Sequence, residues 1–365
     1  MLADETKGDF EMKQSVHNQK GEIAFRRKVA EQQTKGKQFF KDELDSSSIE
    51  EILKDRMKKT LDRMRALKEL GVTLSPYLEV GAERGQRSLV MENGLEAKGA
   101  AVDISFDMLK SCGLYNEKFE KKTLPLRICC DAHNLPFKTG SIPFVFCYQT
   151  LHHFPEPTPI VAEIHRVVSD GGCFFFDEEP FKRVLHFPLY TKKEITHWEK
   201  PRERGTIEKF IDFFLADHPC NEVDHGIIEN LEIPLRGWRR ALHVFDKKDV
   251  HLQSVRFIRE KLYHPGNFVK YFVAYLLGGE ISGVCWKAGS SAMAIASVYH
   301  AVICPECRRD SIESELQQRE NSFFCGACGI EFPIIDGVAL LFATPAFEEL
   351  YPEYFEKLVF TRRTP

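Results

Sequence analysis

Between Tyr77 and Phe176, short apolar runs alternate with segments of helical character, and this alternation restricts the fold more than any other feature of the chain. Leu78–Val80, Gly99–Val102, Leu124–Cys130, Pro143–Tyr148 and Cys173–Phe176 each read as a buried strand. The segments between them, beginning near Gly85, Ser105 and Pro157, read as helices. Strands joined by helices run parallel, because the crossover returns the chain to the same end of the sheet. Helices then cover both faces, which is why the runs are apolar throughout rather than alternating. The expected fold class is α/β, a doubly wound, mostly parallel sheet. Ligands of such sheets bind beyond the carboxyl ends of the strands, so the residues just after each strand carry the candidate chemistry.

The flanking regions read differently. Residues 1–45 are polar and weakly periodic, an N-terminal arm expected to be loosely attached. Ser48 and Glu51 form a capping box ahead of Ile49, Ile52, Leu53, Met57, Leu61, Met64, Leu67 and Leu70, a helical spacing that Gly71 is placed to end. The main domain is expected to span 46–299, with a mostly helical insertion or lid over about 181–250 that contains Trp198, Trp238 and His243. Leu252–Phe257 and Ile281–Tyr299, the latter as a hairpin through Gly289-Ser290, are expected to supply the last strands. A separate cysteine-rich unit follows at 300–343, then a terminal helix from Phe347 to Phe360 within the tail 344–365.

Three strand ends carry acidic residues. The first reads Leu78-Glu79-Val80-Gly81-Ala82-Glu83-Arg84-Gly85, an acid followed by a tight turn whose glycines let the backbone approach a ligand. About twenty residues on, Asp103 is placed to hold paired ribose hydroxyls. Asp131-Ala132-His133 ends the third strand, where a carboxylate can accept from the exocyclic amine of an adenine. One such element is weak evidence, whereas three in order point to a nucleoside site.

With Val102-Asp103-Ile104-Ser105, Asp131-Ala132-His133-Asn134-Leu135-Pro136-Phe137, Leu151-His152-His153-Phe154 and Glu163-Ile164-His165-Arg166-Val167 ahead of Gly171-Gly172, the stretch from about Pro76 to Pro180 resembles the class I S-adenosylmethionine-dependent methyltransferases. The ubiquinone/menaquinone-biosynthesis branch is the most similar. The resemblance implies a Rossmann-like sheet and S-adenosyl-L-methionine as cofactor. It implies that Glu79, Gly81, Ala82 and Gly85 line the methionine moiety and that Asp103 takes the ribose. Ile104 and Met108 would flank the adenine, Asp131 and Ala132 would read its edge, and Gln149 and Thr150 would follow the fourth strand against the cofactor. Glu83 departs from the family pattern, which has glycine there, and a positive φ at that position is costly for glutamate. A dehydrogenase shares the strand–turn–helix start, but Asp131-Ala132 and Leu151-His152-His153-Phe154 favour the methyltransferase.

Methyl transfer from a sulfonium is an in-line displacement, so alignment and exclusion of water supply much of the rate. A base is needed only where the acceptor must lose a proton. His152 and His153 follow the fourth strand, where they either serve as that base or hydrogen-bond the loop.

Cys304-Pro305-Glu306-Cys307 and Cys325-Gly326-Ala327-Cys328 are two CxxC pairs, each able to present two thiolates to one tetrahedral ion. Zn2+ is the expected ion, and with four sulfur ligands it is structural, because no position remains for water. With Phe332-Pro333-Ile334-Ile335-Asp336-Gly337-Val338 after the second pair, residues 301–343 resemble a Trm112-like zinc-ribbon domain, a type that occurs as an activator of methyltransferases or fused to them.

Eleven cysteines behind a polar N-terminus without a signal-peptide core imply a reducing, cytoplasmic setting, and no stretch is long enough to span a bilayer. The net charge of −4 disfavours nucleic acid as partner. Together these readings predict methyl transfer to a small metabolite, on oxygen or carbon. A tRNA or other RNA methyltransferase is the second enzyme reading, and a non-catalytic cofactor-binding protein is the reading from another class.

Overall fold

The structure, a computed structural model, describes residues 18–32, 46–191, 211, 214–217, 227–228, 230–254, 258–290, 295 and 297–361. Its centre is a sheet whose parallel strands are β1 (Tyr77–Val80), β2 (Gly99–Asp103), β3 (Leu126–Cys129), β4 (Ile142–Tyr148) and β5 (Val168–Phe181). Register fixes their relative heights: Val80 lies beside Val102, Asp103 beside Cys129, and Glu79 beside Phe146. The acidic ends of β1, β2 and β3 therefore stand side by side at one edge of the sheet.

The two-residue period of a strand divides the apolar side chains between the faces. In β4, Val145 and Cys147 enter the larger core, while Phe144, Phe146 and Tyr148 enter a second core on the opposite face. Phe174 and Phe176 of β5 follow the first set, and Cys173 and Phe175 the second. Helix α1 (residues 18–32) contributes to the first core, and α2 (Ser46–Glu69) closes the second with Met64 and Leu67. Between the strands run α3 (Gln86–Gly94), α4 (Phe106–Lys118) and α5 (Thr158–Val167), the three crossovers expected from the sequence.

Beyond β5 the sheet continues through antiparallel neighbours. Two further strands, β6 (Tyr190–Thr191) and β7 (Ala216–Asp217), pair with each other alone among the described residues, whereas β8 (Lys247–Gln253), β9 (Arg259–Lys261) and β10 (Gly279–Trp286) extend the sheet in the order β5-β10-β8-β9. The strand expected at Leu252–Phe257 thus lies earlier, and Val255–Phe257 fall outside the described residues. Residues 281–299 hold one strand rather than a hairpin among the described residues, followed by a short 3-10 turn at Val298–Ala301. Much of the expected insertion, Trp198 included, lies outside the described residues. Within it, Leu235–Ala241 is helical, and Trp238 is a core residue stacked on Phe176 with ring centroids 6.0 Å apart.

Three local differences have simple causes. Helix α2 begins at Ser46, so Ser48 lies inside it and is not its cap. Residues 18–32 are a packed helix, with Ile23, Phe25 and Val29 buried, not a loose arm. The terminal helix is broken into Thr344–Leu350 and Pro352–Phe355, because proline has no N–H with which to continue a helix.

The cysteine-rich region shares the sheet instead of standing apart. Its strands are β11 (Leu316–Gln318), β12 (Ser322–Cys325), β13 (Ile330–Ile335), β14 (Val338–Leu340) and β15 (Val359–Phe360). Strand β14 pairs in parallel with β3, Ala339 beside Ile128, and so covers what would otherwise be an open edge. Leu340, Leu341 and Phe342 belong to the same core as Val80 and Val102. Arg308 adds an ion pair to Glu163 of α5 at 2.8 Å.

Candidate active site

The turn after β1 is shaped by backbone conformation. Gly81 has φ +71°, and a Cβ there would lie 2.3 Å from Thr150 Oγ1, so glycine alone lets the ends of β1 and β4 meet. Glu83 adopts φ +49°, the left-handed conformation a glycine would take more easily. Its amide donates to Asp103 Oδ2 at 2.8 Å, which ties the first turn to the second. Burial pushes the Glu83 carboxyl up, but Arg84, Arg26, Arg56 and Arg87 outweigh it and hold the pKa at about 2. Arginines thus surround a Glu83 carboxylate that stays ionised.

Glu79 is buried and accepts from the amide and hydroxyl of Ser88 at 2.9 and 2.5 Å. Burial raises its pKa to about 7 despite Arg87 and these bonds. Asp103 accepts from Ser105 N at 2.8 Å and from Glu83 N, and burial still lifts it to about 6. Asp131 caps the short turn Ala132–Asn134, accepting from His133 N and Nδ1 at 2.9 and 2.8 Å. Burial opposes ionisation there, but the bonds and charge of His133 keep the Asp131 pKa low. Ile104 and Ala132 are partly buried against the main core. Met108 is buried against Phe25 and Val29 of α1.

Helix α1 is the part of the site that the sequence reading missed. Gln19 hydrogen-bonds Asp131. Glu22 lies in the field of His153, and Arg26 in those of Asp103 and Glu83. One helix thus passes over all three acidic turns. Buried polar atoms without partners lie next to the first turn: among the described residues, neither amide atom of Gln86, fully buried beside Gly85, has a hydrogen-bond partner. Groups of this kind suit a polar ligand seated against the turn.

Past β4, Gln149 takes φ +48° and donates to Asp177 O at 3.2 Å, while Thr150 Oγ1 donates to Tyr148 O at 2.8 Å. Glu179, fully buried at the end of β5, organises this turn. Its carboxylate accepts from Thr150 N at 2.7 Å, Leu151 N at 2.9 Å and His152 N at 3.2 Å, and meets His152 Nδ1 at 2.9 Å. A carboxylate at Nδ1 assigns a proton to that nitrogen. His153 stacks on His152 with ring centroids 4.4 Å apart, and its Nδ1 donates to Ile228 O at 3.0 Å. Burial, then His152, lowers the His153 pKa. The signal for Glu179 was the run Asp177-Glu178-Glu179 closing β5.

The four predicted cysteines also converge. Cys304, Cys307, Cys325 and Cys328 place their sulfurs within 4.8 Å of one another. Cys304–Cys328 and Cys307–Cys325 are 3.6 Å apart, far beyond the ~2.05 Å of a disulfide. Metal–sulfur bonds of ~2.3 Å in a tetrahedron imply sulfur separations of roughly 3.8 Å, so the set fits one four-coordinate ion.

Comparison with known proteins places the family signal on the same turns. Residues 78–176 match the family model described as a methyltransferase domain. An uncharacterized chloroplastic methyltransferase of Arabidopsis thaliana is 39% identical over 91 residues, 23% of this chain and 26% of that protein. An uncharacterized methyltransferase of Bacillus subtilis is 22% identical over 168 residues, 44% of this chain and 61% of that protein. A malonyl-[acyl-carrier protein] O-methyltransferase of Legionella pneumophila is 25% identical over 117 residues, 32% of this chain and 38% of that protein. The chain spans about a quarter of the length of the Arabidopsis relative. The matched stretch runs from β1 into β5 and contains the acidic turns and both histidines.

Proposed function

We propose that the chain transfers a methyl group from S-adenosylmethionine to a hydroxyl or acidic carbon of a small metabolite. The observation that carries this reading is the row of Glu79, Asp103 and Asp131 on adjacent strand ends, beside a turn that only glycine permits at Gly81. When bound, S-adenosylmethionine supplies a methyl group already activated by its sulfonium. Glu79 takes its ammonium, Asp103 the ribose hydroxyls, and Asp131 the adenine amine, with Ile104 and Met108 beside the base. Gly81, Ala82 and Gly85 shape the methionine end, and Gln149 and Thr150 close the fourth-strand side.

His152 is the base of this reading. Glu179 holds its ring through Nδ1, and Nε2 is the nitrogen that would take the acceptor's proton. His153, lowered in pKa by burial, stays neutral and supports the ring it stacks on. A bonded carboxylate behind the imidazole favours an acceptor that must be deprotonated.

Zinc is the proposed occupant of the four thiols, with a structural role, and the region 301–343 is proposed to be a Trm112-like ribbon. Four sulfurs with separations suited to a tetrahedron support the metal. The decisive experiment pairs calorimetry with S-adenosylhomocysteine and the double variant Asp103→Asn/Asp131→Asn. Loss of nucleoside affinity in the variant is expected, and unchanged affinity would sink the reading. Labelled cofactor tested against fractionated small-metabolite, lipid and RNA pools then identifies the acceptor, with transfer to RNA overturning the metabolite assignment.

A further inference from the structure

Tyr351 lies outside the matched methyltransferase domain, in the helical tail after the cysteine-rich strands, yet it reaches the turn that follows Asp103. Its hydroxyl donates to Ile104 O at 2.6 Å and accepts from Phe106 N at 2.9 Å. The side chain is fully buried, with its ring 5.6 Å from that of Phe342. Phe106 opens α4, and its amide is one of the first-turn donors that a helix cannot satisfy internally. Ser105, between the two bonded residues, donates its amide to Asp103 Oδ1 and caps α4 by accepting from Met108 N at 3.3 Å. One hydroxyl from the tail therefore brackets the residue that orients the ribose carboxylate.

The same tail also holds α1 over the site. Lys20 pairs with Glu349 at 2.8 Å, and Arg27 pairs with Glu353 and with Asp107 of α4. Tyr354 packs on Phe106 with ring centroids 5.1 Å apart. These contacts come from residues 349–354 and converge on the adenosine side of the pocket, whereas the Glu179–His152 pair lies at the ends of β4 and β5.

We propose that Tyr351 is a positioning residue for the cofactor: by closing the Ile104–Phe106 turn it sets the geometry with which Asp103 holds the ribose. The inference rests on the nucleoside reading of the strand ends. It makes the C-terminal tail a wall of the binding site and separates cofactor affinity from the chemical step. Burial raises the Tyr351 pKa well above its ordinary value, so the hydroxyl remains protonated and able to donate.

Tyr351→Phe keeps the ring and removes the bridge. Phe106 N then has no partner, while Ile104 O keeps the Cys129 thiol at 3.3 Å. The full chain carrying this change should bind S-adenosylhomocysteine about tenfold more weakly, the factor expected for one buried hydrogen bond. The KM for S-adenosylmethionine should rise in parallel, with kcat at saturating cofactor and the acceptor KM unchanged. Glu349→Gln/Glu353→Gln, which leaves the core intact, should weaken binding in the same direction. A lowered melting temperature with wild-type affinity and KM would show a purely structural role and overturn the proposal. A fall in kcat without a change in KM would overturn it as well. Wild-type protein that fails to bind the nucleoside defeats the underlying reading, whereas wild-type binding matched by Tyr351→Phe defeats this inference alone.

Discussion

Replacing Glu179 by glutamine tests the histidine assignment with the smallest possible change of shape. In the native site one carboxylate oxygen accepts from Thr150 N and Leu151 N, and the other meets His152 N and Nδ1. Glutamine can keep its carbonyl on the first pair, which places its amide nitrogen against the second. The His152 amide then faces another donor, an unmet buried hydrogen bond costing about 1–3 kcal/mol. The imidazole can adapt by shifting its proton to Nε2 and accepting at Nδ1, but that tautomer cannot act as a base. A positioned base contributes roughly 10²–10⁴-fold, so kcat should fall by that order while S-adenosylhomocysteine affinity holds. Turnover with the acceptor found in the transfer assay reads the first effect, calorimetry the second, and nitrogen-15 NMR of the imidazole reports the tautomer directly. Wild-type kcat together with a switched tautomer would refute the role of His152 as base.

Nucleoside binding should strengthen as pH rises through about 6 to 7, because Asp103 and Glu79 have pKa values raised to about 6 and about 7 in the folded chain. Carboxylates that engage the ligand must be ionised, so binding releases protons, measurable by calorimetry in buffers of different ionisation enthalpy. The same raised values mean that the folded chain binds the extra protons, so these two groups lower stability as pH climbs from the ordinary carboxylate range to about 7. Gly81→Ala forces a Cβ to within 2.3 Å of Thr150 Oγ1 at φ +71° and should abolish nucleoside binding, with roughly 1–3 kcal/mol of strain seen in denaturant melts. Metal analysis should find one zinc per chain, and its removal by a chelator should free four titratable thiols and lower the melting temperature, whereas unchanged stability would contradict a structural ion.

The sheet was legible because β1 to β5 are apolar runs of strand length, with helices that start near Gly85, Ser105 and Pro157 leading into β2, β3 and β5. The acidic strand ends followed from the same pattern, since the residue after a parallel strand is where a ligand can be met. Helix α1 was obscured because only Ile23, Phe25 and Val29 bury well in a run otherwise rich in Lys, Arg and Glu. Its partners are the strand ends, which a local window does not contain. Glu179 was hidden among three consecutive acids, and which of them turns inward depends on the register of β5 against β4. Strand β14 has three residues, too few for periodicity to register, and its identity comes from pairing with β3. The cysteines were readable at once, because two CxxC turns carry their chemistry in their spacing.

The pairing of β14 with β3 also bears on how the chain can be divided. Cutting it before residue 300 would strip the partner from Arg127, Ile128 and Cys129 and uncover the apolar side chains that meet Leu340 and Phe342. A row of unmet amides beside a greasy surface recruits other chains, so the shortened protein should aggregate rather than persist as a smaller folded unit. The two parts, sharing one sheet and one core, are expected to fold together.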